Sequence, residues 1–200
     1  MKLIIATHNE HKLAEFRRML EPMGIEVQTA PLTEVDETGK TFMENAFIKA
    51  ESAMRETGLP AVADDSGICV DALDGAPGIY SARYGTPELD DRGRLELLLR
   101  EMKDVPDGKR QAHFACAICA VFPNGDTVQA EGECHGTIAR QSMGDGGFGY
   151  DPIFMQEGRC FGELSAEEKD ERSHRGIALR LFAEKLREYR KRNGEKHADK

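Results

Sequence analysis

The first 65 residues alternate in a way that leaves few folds open. Lys2 to Ala6 is a short apolar run of strand length. Leu13, Phe16 and Leu20 then recur at helical spacing, which predicts a helix from about Glu10 to Glu21, closed by Pro22 and Gly24. Ile25 to Thr29 reads as a second strand, and Thr33 to Lys40 as a polar loop. In "TFMENAFIKAESAMRETGLP", Thr41 and Glu44 spell a capping box, and Phe42, Ala46, Ala50 and Ala53 form an apolar stripe widened by Met43, Phe47 and Met54. Asn45, Lys49 and Ser52 share the other face, and Gly58 and Pro60 stop the helix. Ala61 to Ala63 is a third strand. Strand-helix-strand-helix-strand in this order calls for an α/β sheet with parallel pairs.

Further on, Leu95, Leu98, Leu99 and Met102 predict an amphipathic helix over Asp90 to Lys103. Gln111 to Phe122 is a long strand, and Asn124–Gly125 a hairpin turn with its return strand from Thr127 to Glu133. A Gly-rich loop follows, Ser165 opens a helical turn, and Ser173 to about Arg192 is a last helix with Ile177, Leu181, Phe182, Leu186 and Tyr189 inward. No linker or repeat divides the chain, so one domain over 1–192 with a disordered tail over 193–200 is the expected organisation.

No apolar run approaches the length of a membrane span, and the N-terminus lacks the long apolar core of a signal peptide, so the expected compartment is the cytosol. Five cysteines without a secretory signal read as free thiols. A net charge of −9 disfavours a nucleic acid polymer, whose binding draws on phosphate neutralisation, but leaves room for a small anion held by local cations.

Two helix starts carry such cations. "THNEHK" puts His11 and Lys12, and "SHRG" puts His174 and Arg175, in a first turn where the helix dipole disfavours positive charge unless an anion is bound there. In "AVADDSGI", Asp64 and Asp65 end a buried strand with Ser66 and Gly67 turning the chain. A plain turn accounts for that composition; so does a divalent cation or a general base. Glu37, Asp64 and Asp65, with Glu44 nearby, are the hard-cation candidates, and Mg²⁺ suits one or two carboxylates completed by water and phosphate oxygens.

Gly144, Gly146 and Gly149 match G-x-G-x-x-G, but Tyr150, Asp151 and Pro152 follow where a dinucleotide fingerprint needs a helix. That loop is either a turn or a mount for Phe148, Tyr150 and Asp151 against a ligand. Cys116 and Cys119 spell C-x-x-C inside a strand, where they face opposite sides and cannot chelate one metal.

Taken in order, "THNEHK", "ETGKTFMENAFIKA", "ADDSG", "GAPGIYSARYG", "GGFGYDPIF" and "EEKDERSHRG" resemble the signature blocks of the inosine/xanthosine triphosphate pyrophosphatase family, from about Leu3 to Leu186. The resemblance implies a mixed α/β fold with an elongated central sheet flanked by helices, and two lobes around one active-site cleft. It also implies a Mg²⁺ requirement, a homodimer, and hydrolysis of dITP, ITP and XTP to the monophosphate and pyrophosphate. By position, Thr7, His8, Asn9, Glu10, His11 and Lys12 line the substrate, with Thr7, Asn9 and Lys12 holding the triphosphate. Glu37 and Asp65 hold the metal, with Asp64 and Lys49 adjacent, and Asp65 is the base that activates water. Ser66 touches the substrate; Phe148 stacks on the base, with Gly149, Tyr150 and Asp151 completing that wall; Lys169, His174 and Arg175 read the base. Asp170 stands where the family more often has Asn. Beside this reading stand another metal-dependent nucleotide phosphatase and a nucleotide-binding regulator without turnover; a kinase is disfavoured by the lack of a P-loop.

Overall fold

A computed structural model describes residues 1–198. Seven strands form one sheet in the order β2-β1-β3-β4-β5-β6-β7. β1 (Lys2–Ile5), β2 (Glu26–Gln28) and β3 (Ala61–Val70) run parallel, joined through α1 (Glu10–Leu20) and α2 (Phe42–Thr57). α3 (Asp91–Glu101) leads to β4 (Gln111–Val121), which turns at Asn124–Gly125 into β5 (Thr127–Ile138). Antiparallel β6 (Phe154–Gln156) and β7 (Arg159–Cys160) complete the sheet, followed by α4 (Ala166–Arg172) and α5 (His174–Ala198). The sheet is therefore mixed and flanked by helices, an α/β fold.

The described chain divides into two compact units, residues 1–65, 116–132 and 175–198 in the first and 66–115 and 133–174 in the second. Its passages from one to the other fall within β3 and β5, at Ala115–Cys116 inside β4, and at the first residues of α5, not in loops. No Gly- or Pro-rich linker marks them, which is why the division is invisible in the sequence.

In the first unit alternate residues of the strands feed two separate clusters. Leu3, Ile5, Val62, Cys116 and Ile118 pack with Phe16 and Leu20 of α1 and Leu179, Phe182 and Leu186 of α5. Ala63, Ala117, Cys119 and Val121 pack with Ala46 and Ala50 of α2. Cys116 and Cys119 thus face opposite sides, as strand geometry requires, and every cysteine is a free thiol. Burying one side chain such as Phe16 contributes about 1.5–3 kcal/mol. The second unit has its own core of Ile68, Val70, Leu98, Met102, Phe114, Phe154 and Phe161.

Four local expectations are corrected. β3 does not stop at Ala63 but continues through Asp64, Asp65, Ser66 and Gly67 to Val70, so the aspartates lie in mid-strand. Leu181 is exposed, because the inward stripe of α5 is Ala178, Leu179, Phe182, Ala183 and Leu186. At α2, Thr41 caps Glu44 N–H at 3.1 Å, but the Glu44 carboxylate takes the Lys40 N–H instead of closing the box on Thr41. α5 continues past Arg192 to Ala198; of the tail expected over 193–200, residues 199 and 200 lie outside the described residues.

Candidate functional site

Consecutive strand residues point to opposite faces, and in the first unit this separates the two aspartates. Asp64, 2% exposed, faces α1 and α5. Its Oδ2 accepts from Arg175 Nε at 3.1 Å and Nη2 at 3.0 Å and lies 3.1 Å from Lys12 Nζ. Arg175 Nη1 reaches Glu15 Oε2 at 2.6 Å, and the Cys116 thiol points at Asp64 from 3.8 Å. Two carboxylates, Asp64 and Glu15, meet two cations, Lys12 and Arg175. Burial alone would raise the Asp64 pKa, but Lys12 and Arg175 hold it well below the usual carboxylate range. Asp64 Oδ1 is buried without a hydrogen-bond partner among the described residues.

Asp65 faces α2. Lys49 Nζ lies 2.7 Å from Glu37 Oε1 and 3.4 Å from Asp65 Oδ1, so an ammonium sits between two carboxylates. Asn45 Nδ2 donates to Asp65 Oδ2 at 3.1 Å. Burial, aided by the Glu37 charge, pushes the Asp65 pKa up despite Lys49, Lys12 and Asn45. Lys49 is raised: burial works against its charge, and Asp65, Asp64 and Glu37 outweigh it. The two faces of one strand thus differ in kind: Asp64 is held ionised by Lys12 and Arg175, whereas Asp65 shares Lys49 with Glu37 and is pushed up by burial.

The β1–α1 loop is capped from within. Asn9 Oδ1 accepts from His11 N–H at 2.9 Å and Lys12 N–H at 3.2 Å, and Thr7 Oγ1 accepts from Asn9 N–H at 3.1 Å. Two backbone donors that the sequence offered to an anion are taken by Asn9; the cation offered by this helix start is Lys12. His8, Glu10 and His11 are exposed.

In the second unit the Gly-rich loop builds a different group. Asp151 Oδ2 accepts from Phe148 N–H at 2.8 Å and from Lys169 Nζ at 2.7 Å, and that ammonium lies 4.4 Å from the Phe148 ring centroid. Asp151 and Lys169 are both buried. Gly147 has φ +70°, and a Cβ there would fall 2.1 Å from Asp151 Oδ2, so only glycine lets the loop close on the carboxylate. Gly149 also has a positive φ. Tyr150 is anchored by its hydroxyl, which donates to Ser81 O at 2.9 Å. The His174 ring is buried and stacks on Phe114 at 4.5 Å. Ser66 is half-buried, the first residue of β3 in this unit. Lys169 sits on α4, whose start Ser165 and Glu168 close with a reciprocal capping box.

Of the residues expected to read a base, Arg175 is differently employed. It is 2% exposed, and all three guanidinium nitrogens donate within the first unit, to Asp64 and Glu15. A base-reading role requires those bonds to be exchanged. The sequence reading missed Glu15 and Asn45. Each had a signal, lying three and four residues from Lys12 and Lys49 on the same helix faces.

The Ham1 family model matches residues 3–185. This chain belongs to the Ham1 family. A protein of Gluconobacter oxydans named dITP/XTP pyrophosphatase is 50% identical over 186 residues, covering 90% of this chain and 88% of that protein. A Streptomyces avermitilis protein of the same name is 47% identical, covering 94% and 98%. The solved Ham1 protein from Coxiella burnetii superposes with a TM-score of 0.86 at 38% identity, covering 94% and 99%. A Mycobacterium abscessus structure titled nucleoside-triphosphatase / dITP/XTP pyrophosphatase gives 0.72 at 47%, covering 90% and 97%. Ham1 membership agrees with the resemblance read from the six sequence blocks, and no described helix is long and apolar enough to cross a membrane.

Proposed function

We propose that the chain is a Mg²⁺-dependent pyrophosphatase in the cytoplasm that hydrolyses dITP, ITP and XTP to the monophosphate and pyrophosphate, clearing them from the nucleotide pool. The observation that carries the reading is the Lys49 ammonium between Glu37 and Asp65, a cation already held by the two carboxylates. Among the described residues no three His, Cys, Asp or Glu cluster as metal ligands. Mg²⁺ fits such a sparse donor set, because it keeps waters and takes substrate phosphates for most of its shell. Glu37 and Asp65 would hold it. When bound, the ion offsets phosphate charge and makes a bound water more acidic.

The remaining chemistry belongs to the chain. Asp65 takes the proton of the attacking water, whose oxygen bonds to the α-phosphorus as the bond to the bridging oxygen breaks and pyrophosphate leaves. Lys12 and Lys49 supply charge against the phosphates, with Thr7 and Asn9 beside them. Phe148 supplies a stacking face, and Lys169, steered by Asp151, donates to the 6-oxo group of the base, with Gly149, Tyr150 and His174 around them. Adenine carries an amino group there and would face donors with donors. The nucleotide is the partner, and a homodimer, tested by sedimentation, belongs to the same proposal.

The phosphorus products from ITP and Mg²⁺ decide the reading. Pyrophosphate with IMP is expected. Orthophosphate with IDP would make the chain a different nucleotide phosphatase, and binding without product a regulator.

A further inference from the structure

We propose that Asn45 is a positioning residue for the hydrolysis: its carboxamide ties Asp65 to the loop that carries Glu37, so that one carboxylate oxygen is anchored and the other is left to work. The inference rests on the pyrophosphatase reading above.

Asn45 is wholly buried on α2, one turn before Lys49, and projects on the same side. Both ends of its amide are used. Nδ2 donates to Asp65 Oδ2 at 3.1 Å, and Oδ1 accepts from Gly39 N–H at 2.8 Å. Gly39 lies two residues after Glu37. The two bonds fix the amide's orientation, because the flipped form would set its NH₂ against an N–H and its oxygen against a carboxylate. Asp65 Oδ2 is thereby held, and Oδ1 is the oxygen turned toward Lys49 and the Glu37 carboxylate. The fit is close: a Cβ on Gly39 would come within 2.6 Å of Asn45 Oδ1 and 2.7 Å of Glu44 Cβ. A helix, the loop before it and the strand after it therefore converge on one amide.

A purely structural asparagine would need the Gly39 bond as much as the Asp65 bond, and Asn45→Asp separates the two. It keeps an acceptor for Gly39 N–H but replaces the donor to Asp65 with a second carboxyl oxygen. Pyrophosphate release from ITP with Mg²⁺ is measured for the wild-type chain, Asn45→Asp and Asn45→Ala, beside thermal unfolding. Asn45→Asp should lower kcat at least about 30-fold while KM for ITP stays within about threefold and the protein remains folded, because the misplaced oxygen bears first on the attacking water, while the triphosphate keeps Lys12, Lys49 and the stacking face of Phe148. A folded Asn45→Asp protein with kcat within threefold of wild type overturns the assignment. If Asn45→Asp does not fold, Asn45→Ala must show the same split, and a near-normal kcat there overturns it equally. If neither variant folds, Asn45 is structural and the assignment falls. A wild-type chain that releases no pyrophosphate from ITP overturns the underlying reading instead, before any variant is compared.

Discussion

Asp64 and Asp65 are neighbours in β3 and belong to different chemical environments: the first is locked by Arg175 and Lys12 on one face of the strand, the second shares Lys49 with Glu37 on the other. One peptide unit separates a carboxyl held well below the usual range from one that burial pushes up.

The pair should respond oppositely to the same change. Asp65→Asn should lower kcat at least 100-fold, since general base catalysis alone contributes roughly 10²–10⁴-fold. It should leave the melting temperature unchanged or higher, because burial and Glu37 disfavour the ionised carboxyl there. Asp64→Asn leaves Lys12 and Arg175 without their shared carboxylate and should cost about 3–5 kcal/mol, the usual cost of breaking a buried pair. A loss below tenfold in kcat for Asp65→Asn, or an undiminished melting temperature for Asp64→Asn, contradicts the assignment of faces.

Acid should act on the Asp64 group. Its carboxyl is depressed in the folded protein, so its contribution to stability is complete above the unfolded value of about 3.9 and is lost as pH falls from there toward the much lower folded value. Asp65 is raised and has the opposite sign, the folded state binding its proton more readily. Urea midpoints between pH 7 and pH 3 should therefore fall more steeply for the wild type than for Asp64→Asn. Parallel curves would show that Asp64 does not govern this range.

Base selectivity should divide between Phe148 and Lys169. Stacking has no preference among bases, so Phe148→Ala should lower kcat/KM for ITP and ATP about equally. Lys169→Ala removes a charged donor with a contribution of about 1.5–3 kcal/mol, roughly 10- to 150-fold, and should reduce ITP turnover far more than ATP turnover. An ITP-to-ATP ratio left unchanged by Lys169→Ala argues that Lys169 serves only to fix Asp151 and the loop.

Arg110 is a test of fold and not of chemistry. It is buried, and its guanidinium donates to four carbonyl oxygens: Ile138 at 2.7 Å, Met102 at 2.6 Å, Val105 at 3.1 Å and Ala139 at 2.9 Å. It thereby joins the end of α3 to the end of β5 within the second unit. Arg110→Met should destabilise the protein by about 3 kcal/mol or more, since hydrogen bonds to charged groups are worth about 1.5–3 kcal/mol each and the carbonyls lose their partner. Chemical unfolding giving a loss under about 1 kcal/mol would mean that water replaces the guanidinium.

Legible in the residues alone were the order of elements up to β5, the helix starts at Thr41 and Ser165, and the opposed thiols of Cys116 and Cys119. These are local: a period of 3.6 or 2, or a side chain reaching a backbone three residues away, is written within one short stretch. Six motif blocks likewise carried the family. Which partners each aspartate serves was settled by packing between distant parts of the chain. Asp64 depends on Arg175, 111 residues away, and Glu15 on the same guanidinium across 160 residues, separations with no local signature. β3 runs through Asp64 and Asp65, against the poor strand propensity of aspartate, because cations from α1, α2 and α5 compensate the buried charge. Leu181 is exposed because α5 is turned so that Ala178, Leu179, Phe182, Ala183 and Leu186 meet the core, and a stripe read from hydrophobicity alone does not contain that rotation.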